Sequence, residues 1–272
     1  MSSAPGTGVG YVCFDRPDGL ALPRRHERAP PPEGEASHAR NQVRQRMFSD
    51  RRDAGRRLAA RLMHLKGEAP LVLAIPRGGV AVAREVADAL AAPLDMVLVR
   101  KIGAPWQPEL AVGAVVDGER PETVLNREVV ELLGVPESFI AQQTARELEE
   151  IERRRRIYVA DRAHPRIEGR TVIVVDDGIA TGATVRAALV ALRRHHPLRL
   201  VLAVPVAPSD TVESLREQVD ELVCLHSPSE FFAISQFYGH FPQLSDAEVT
   251  GLLGQPPGVD QRDQAERAPR PA

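Results

Sequence analysis

One segment constrains this chain more than any other: Val172-Ile173-Val174-Val175-Asp176-Asp177-Gly178-Ile179-Ala180-Thr181-Gly182-Ala183-Thr184. Its first half is an unbroken apolar, β-branched run, the pattern of a strand buried on both faces within a parallel sheet. The strand runs directly into two carboxylates, then into a turn of small residues, then into a helical pattern from Thr184 to His195. Small side chains in such a turn let backbone N–H groups approach an anion. The helix N-terminus adds partial positive charge. Thr181 and Thr184 can add hydroxyl donors, so a phosphate monoester fits the turn. No lysine is present, which separates it from the GxxxxGK[ST] loop. Asp176 and Asp177 repel each other unless donors or a cation lie near, and ribose hydroxyls or a hydrated Mg²⁺ would satisfy both.

The rest of the chain supports an α/β reading. Strand-like runs at Leu71–Ile75, Leu94–Val99, Val112–Val116, Thr171–Val175, Arg199–Val204 and Glu221–Leu225 alternate with helical patterns at Val80–Ala92, Glu137–Tyr158, Thr184–His195 and Asp210–Gln218. Strands separated by helices imply a mostly parallel sheet, and in such sheets ligands bind beyond the carboxyl ends of the strands. The loops after Ile75, Val99 and Val175 have unusual composition. The first is Pro76-Arg77-Gly78-Gly79, where glycines permit close backbone approach and Arg77 supplies a charged donor. The second is Arg100-Lys101 followed by Ile102–Glu109, whose Gly103, Pro105, Trp106 and Pro108 read as a long mobile loop. Residues 1–46 and 255–272 are rich in Pro, Gly and charge and read as disordered tails. That leaves one folded domain over 47–254.

The Val172–Thr184 block, with the order of loops around it over about 70–205, resembles the type I phosphoribosyltransferase family, in particular stand-alone bacterial members. The resemblance implies a mostly parallel sheet flanked by helices with a small hood, and use of 5-phosphoribosyl-1-pyrophosphate (PRPP). It implies that Asp176 and Asp177 hold the ribose hydroxyls and that Ala180, Thr181, Gly182, Ala183 and Thr184 bind the 5-phosphate. Arg77, Gly78 and Gly79 would form the pyrophosphate loop, with Pro76–Arg77 the candidate for a cis peptide. Arg100 and Lys101 would contact pyrophosphate from the root of a closing loop. Mg²⁺ would be held indirectly through PRPP, with Asp176 and Asp177 as candidate contacts. The reaction implied is transfer of the phosphoribosyl group to a nitrogen acceptor, a nucleobase for preference, with release of pyrophosphate. Many purine-type members carry an acid where this chain has Ala180, so the acceptor stays open. Glu109 is a candidate substitute base.

Two rival readings use the same pocket: a non-catalytic protein that senses PRPP or a nucleotide, and a hydrolase in which water replaces the acceptor. An α/β-hydrolase is disfavoured because no G-x-S-x-G turn occurs.

Composition narrows the partners. Lys and Arg total 35 against 37 Asp and Glu, a net charge of −2, without the basic excess of a dedicated nucleic-acid binder. No apolar run approaches the length of a membrane span, and no secretory pattern opens the chain. Two cysteines cannot form a disulfide framework, so the cytoplasm is the expected compartment. A small-molecule acceptor is the expected partner, and a homodimer remains open. In Glu137–Tyr158, Glu149–Arg153, Glu150–Arg154 and Glu152–Arg156 have favourable i,i+4 spacing. His195-His196 read as structural residues near a helix C-terminus. Phe231-Phe232 and Phe237–Phe241 read as a satellite core or as an aromatic contact to the acceptor.

Overall fold

A computed structural model describes residues 10–13, 47–118, 120–160 and 162–254. In chain order the elements are β1 (Gly10–Cys13), α1 (Arg51–Leu62), a 3₁₀ turn (Met63–Glu68), β2 (Leu71–Ala74), α2 (Gly78–Leu90), β3 (Leu94–Met96), β4 (Val99–Ala104), β5 (Gln107–Val116), β6 (Glu122–Leu125), α3 (Arg127–Leu133), α4 (Glu137–Val159), β7 (Thr171–Val175), α5 (Ala183–Arg194), β8 (Arg199–Val206), α6 (Ser209–Arg216), β9 (Glu221–His226), a second 3₁₀ turn (Ile234–Phe237) and α7 (Asp246–Gly254).

The main sheet is five-stranded and wholly parallel, in the order β3-β2-β7-β8-β9. The chain moves outward from β2 to β3, then returns to β7 and continues to β8 and β9 in the opposite direction. The reversal falls between β2 and β7, and their carboxyl ends are the position where such folds place a ligand. The β-branched run of β7 is fully buried and divides by alternation. Val172 and Val174 pack with Leu189 and Leu192 of α5 and Leu215 of α6. Ile173 and Val175 pack on the other face with Leu58 and Leu62 of α1 and Val82 and Val86 of α2. Burial of several such side chains, at about 1.5–3 kcal/mol each, is what fixes β7 at the centre.

A second sheet, in the order β1-β6-β5-β4, is antiparallel except for the β1–β6 pair. Gly10–Cys13 lie within the segment expected as a tail; the remainder of 1–46 and all of 255–272 fall outside the described residues. The expected strand Leu94–Val99 is divided. Residues up to Met96 join the main sheet, and Val99 onward belongs to the second sheet. The expected loop Ile102–Glu109 is instead the turn of a β4–β5 hairpin, with irregular register around Gly103. The Gly and Pro signals that suggest a loop mark this bulge and the start of a strand, positions where both residues are tolerated. Trp106 stands 72% exposed at the hairpin tip.

Candidate active site

The loops leaving β2 and β7 lie side by side. Ile75 N–H donates to the Val175 carbonyl at 2.9 Å, so each chain leaves its strand at the same level. The Pro76–Arg77 peptide is cis. Gly78 and Gly79 open α2 directly against the acidic pair. A Cβ on Gly79 would lie 2.9 Å from both Asp176 Cα and the Val175 carbonyl oxygen, and one on Gly78 would collide with Asp177 Oδ2. Glycine is required here by space as well as by conformational freedom.

The two acids differ in their surroundings. Asp177 is buried, and its Oδ2 accepts from Arg51 Nε at 2.7 Å. Arg51 also donates from Nη1 to the Pro242 carbonyl at 2.7 Å, and its guanidinium lies 3.7 Å from the centroid of Phe241. The Tyr238 hydroxyl donates to the Asp177 carbonyl oxygen at 2.6 Å. Burial pushes the Tyr238 phenol far above its ordinary range, so it stays a donor. Asp176 is half-buried, and its Oδ1 accepts from the Asp177 amide at 2.8 Å. Close packing, reinforced by the neighbouring Asp177 charge, holds the Asp176 carboxyl well above the usual carboxylate range; Arg51 opposes this only in part.

Beyond the acids, Ala180, Thr181, Ala183 and Thr184 are exposed, and Gly182 sits at the N-cap of α5 with φ +76°. That backbone angle suits glycine. No side chain caps this helix end, so its first N–H groups face outward without an internal partner, the condition for holding an oxyanion. Thr211 fixes the loop from α6 by donating to the Ala180 carbonyl at 3.1 Å. Ala180, Thr181, Ala183 and Thr184 thus leave one side of this helix start exposed, while Gly182 is packed against Thr211.

The structure thus brings Asp176, Asp177, Gly78, Gly79 and the 180–184 turn into one cluster. Arg77 stands at its edge, with Nη1 3.7 Å from Asp246 Oδ1 of α7. Arg100 is turned to Glu147 of α4 at 2.7 Å, and Lys101 is exposed on β4. The Glu109 side chain lies outside the described residues. Two carboxylates are hard oxygen donors suited to Mg²⁺, but among the described residues no group of three or more His, Cys, Asp or Glu is arranged to hold a metal ion by itself. A cation here would need oxygens from the substrate or water to complete its shell.

Sequence reasoning misses Arg51, which stands 126 residues from its partner in the chain. The aromatic group near the C-terminus is a satellite core. Tyr238 packs with Phe48 and Val206, with Phe231, Phe237 and Phe241 around them, while Phe232 is 84% exposed. Of the expected helix pairs, Glu150–Arg154 is present at 2.7 Å, but Arg153 also turns to Glu150. Arg155 points inward to Asp117.

Comparison with known proteins agrees with this geometry. A family profile described as the phosphoribosyl transferase domain matches residues 48–239. Proteins of two Mycobacterium tuberculosis strains, H37Rv and CDC 1551, are each 47% identical over 208 residues, which is 76% of this chain. Both carry the provisional name of phosphoribosyl transferase, and the chain spans 46% of their length. The crystal structure of TT1426 from Thermus thermophilus superposes with a TM-score of 0.66 at 42% identity, covering 78% of this chain and 99% of that one.

Proposed function

Because the chain belongs to the phosphoribosyl transferase family, we propose that it moves the 5-phosphoribosyl group of PRPP to a ring nitrogen of a nucleobase and releases pyrophosphate. The observation that carries this reading is the uncapped, outward-facing start of α5 placed directly after the acidic pair. In the proposed reaction the bond from ribose C1 to the pyrophosphate oxygen breaks, pyrophosphate leaves with the electron pair, the acceptor nitrogen bonds to C1, and the proton of that nitrogen passes to the departing pyrophosphate or to water. The 180–184 amides and the Thr181 and Thr184 hydroxyls would anchor the 5-phosphate. Asp176 and Asp177 would orient the ribose hydroxyls. Arg77, the Gly78-Gly79 backbone, Arg100 and Lys101 would neutralise the leaving group, the last two once the hairpin root swings inward. Asp176 and Asp177 would be the protein contacts for Mg²⁺, which would supply charge neutralisation of the pyrophosphate when bound with PRPP. Positioning and fixed charge would provide most of the rate. The proposal keeps the cytoplasm as the compartment, on the two-cysteine composition.

A second reading, a PRPP-sensing protein without turnover, is favoured by one observation: Ala180 offers no carboxylate to take the acceptor proton. The test is a titration of the full chain with PRPP and Mg²⁺, followed by a nucleobase screen for pyrophosphate release. Turnover with any base supports the transferase, and tight binding without release supports the sensor. Asp176→Asn is the cleaner probe of the ribose role, since Asp177→Asn also strands Arg51. Unchanged PRPP affinity and rate in Asp176→Asn would remove Asp176 from the site.

A further inference from the structure

A cavity of about 510 Å³ shares no lining residue with the proposed PRPP site. It lies at the far end of α5. That helix starts at the phosphate turn and runs 12 residues to Arg194, about 18 Å at the usual rise per residue. Three separate segments form the rim: Arg120 after β5, His164 and Arg166 before β7, and His195 and His196 after α5. The floor is apolar, made by Leu73, Val97 and Leu192, each 2% exposed.

The acids at the cavity do not cancel this rim. Asp117 is bonded by Arg155 at 3.1 Å and takes up His164 at 3.7 Å, which leaves the arginines and His195-His196 as the rim's cationic groups. Burial raises the Asp117 carboxyl, with Arg155 and then His164 opposing. Glu168 meets Arg166 at 3.6 Å with both side chains mostly exposed, a pairing worth little in water. Arg194 is turned to Glu122 at 3.4 Å. Arg120 is exposed and makes no ion pair among the described residues. A concave apolar floor with a few convergent cations is the usual form of a small-molecule site, and the volume lies within the common range of about 300–1,000 Å³.

We infer that this cavity binds a small organic phosphate carrying a flat ring, of the nucleoside monophosphate class, with the phosphate at Arg120 and Arg166 and the ring on the floor. The inference does not depend on the transferase reading. A glutamate at the phosphate turn, Ala183→Glu, closes the first site to phosphates while suiting a helix N-terminus. By calorimetry, this variant of the full chain should still bind one equivalent of AMP. Adding Arg120→Gln and Arg166→Gln should weaken that binding at least tenfold, and ribose 5-phosphate, which lacks the base, should bind the Ala183→Glu chain more weakly than AMP. In the unaltered chain, AMP should protect His195 and His196, but not the exposed His64, from diethyl pyrocarbonate. No AMP binding to the Ala183→Glu chain, undiminished binding after both Gln substitutions, or unprotected His195 and His196 would each overturn the site. Equal affinity for ribose 5-phosphate would overturn the ring-bearing ligand.

Discussion

Replacing Arg51 by Met tests the central electrostatic arrangement. The two side chains of the Arg51–Asp177 pair are 9% and 12% exposed and meet at 2.7 Å. At an effective dielectric near 20, unit charges about 4 Å apart attract by about 4 kcal/mol. Removing one partner of a buried pair strands the other charge and typically costs about 3–5 kcal/mol. Here the stranded group is Asp177, already next to Asp176, whose carboxyl is pushed upward by burial. Proton uptake by the pair will relieve part of the penalty, so a loss of about 3 kcal/mol is expected. For a domain of this size that corresponds to a fall in Tm of about 6–12 °C. Urea unfolding followed by far-ultraviolet circular dichroism, on Arg51→Met, Asp177→Asn and the double variant, gives the coupling energy. It should reach about 2 kcal/mol and survive high salt, because the pair is shielded from the ionic atmosphere. A single-variant loss below about 1 kcal/mol, or additive losses within about 0.5 kcal/mol, would refute the reasoning.

Other substitutions probe neighbouring contacts. Gly78→Ala should destabilise by about 1–3 kcal/mol through overpacking against Asp177, whereas Gly251→Ala in α7, where a Cβ meets nothing within 4 Å, should stabilise by up to about 1 kcal/mol; thermal melts that rank the two the other way would contradict the packing described. Tyr238→Phe removes the 2.6 Å bond to the Asp177 carbonyl and should cost about 1–3 kcal/mol in urea unfolding. The Glu150 carboxyl is lowered to about 2 by hydrogen bonds from Arg153 and Arg154. Its contribution is present above the ordinary carboxylate value and is lost as pH falls toward 2. Because the group is solvent-facing, Glu150→Gln should cost under about 1 kcal/mol at neutral pH. The difference from the parent should shrink on acidification and in high salt, and a gap that widens in acid would reverse the sign argued here.

Much of the main sheet is legible in the sequence because burial on both faces writes long apolar runs into β2, β7 and β8. The 176–184 turn is legible because its small residues, acids and helix start are contiguous in the chain. Arg51 is not, since nothing near Met47–Asp53 signals a partner at Asp177. The β3–β4 division is hidden because Val97 and Leu98, between the strands, are as buried as the strands themselves. The hairpin is hidden because Gly103, Pro105 and Pro108 signal breaks whether or not the flanking residues pair. Arg155 has the spacing of a solvated helix residue, and only the fold shows that the Asp95 and Asp117 carboxylates lie beneath it.

Phe48 bridges to Tyr238, and Gly239 N–H donates to the Phe48 carbonyl at 2.7 Å, so the two ends of the domain meet beside residues 176–177. During synthesis β7 and the 176–184 turn emerge before β8 and Thr211, which hold them from later in the chain. The clamp on the second aspartate waits until Phe241 and Pro242 have cleared the exit tunnel. A fragment ending before those residues would carry the recognisable motif without the contacts that hold Arg51.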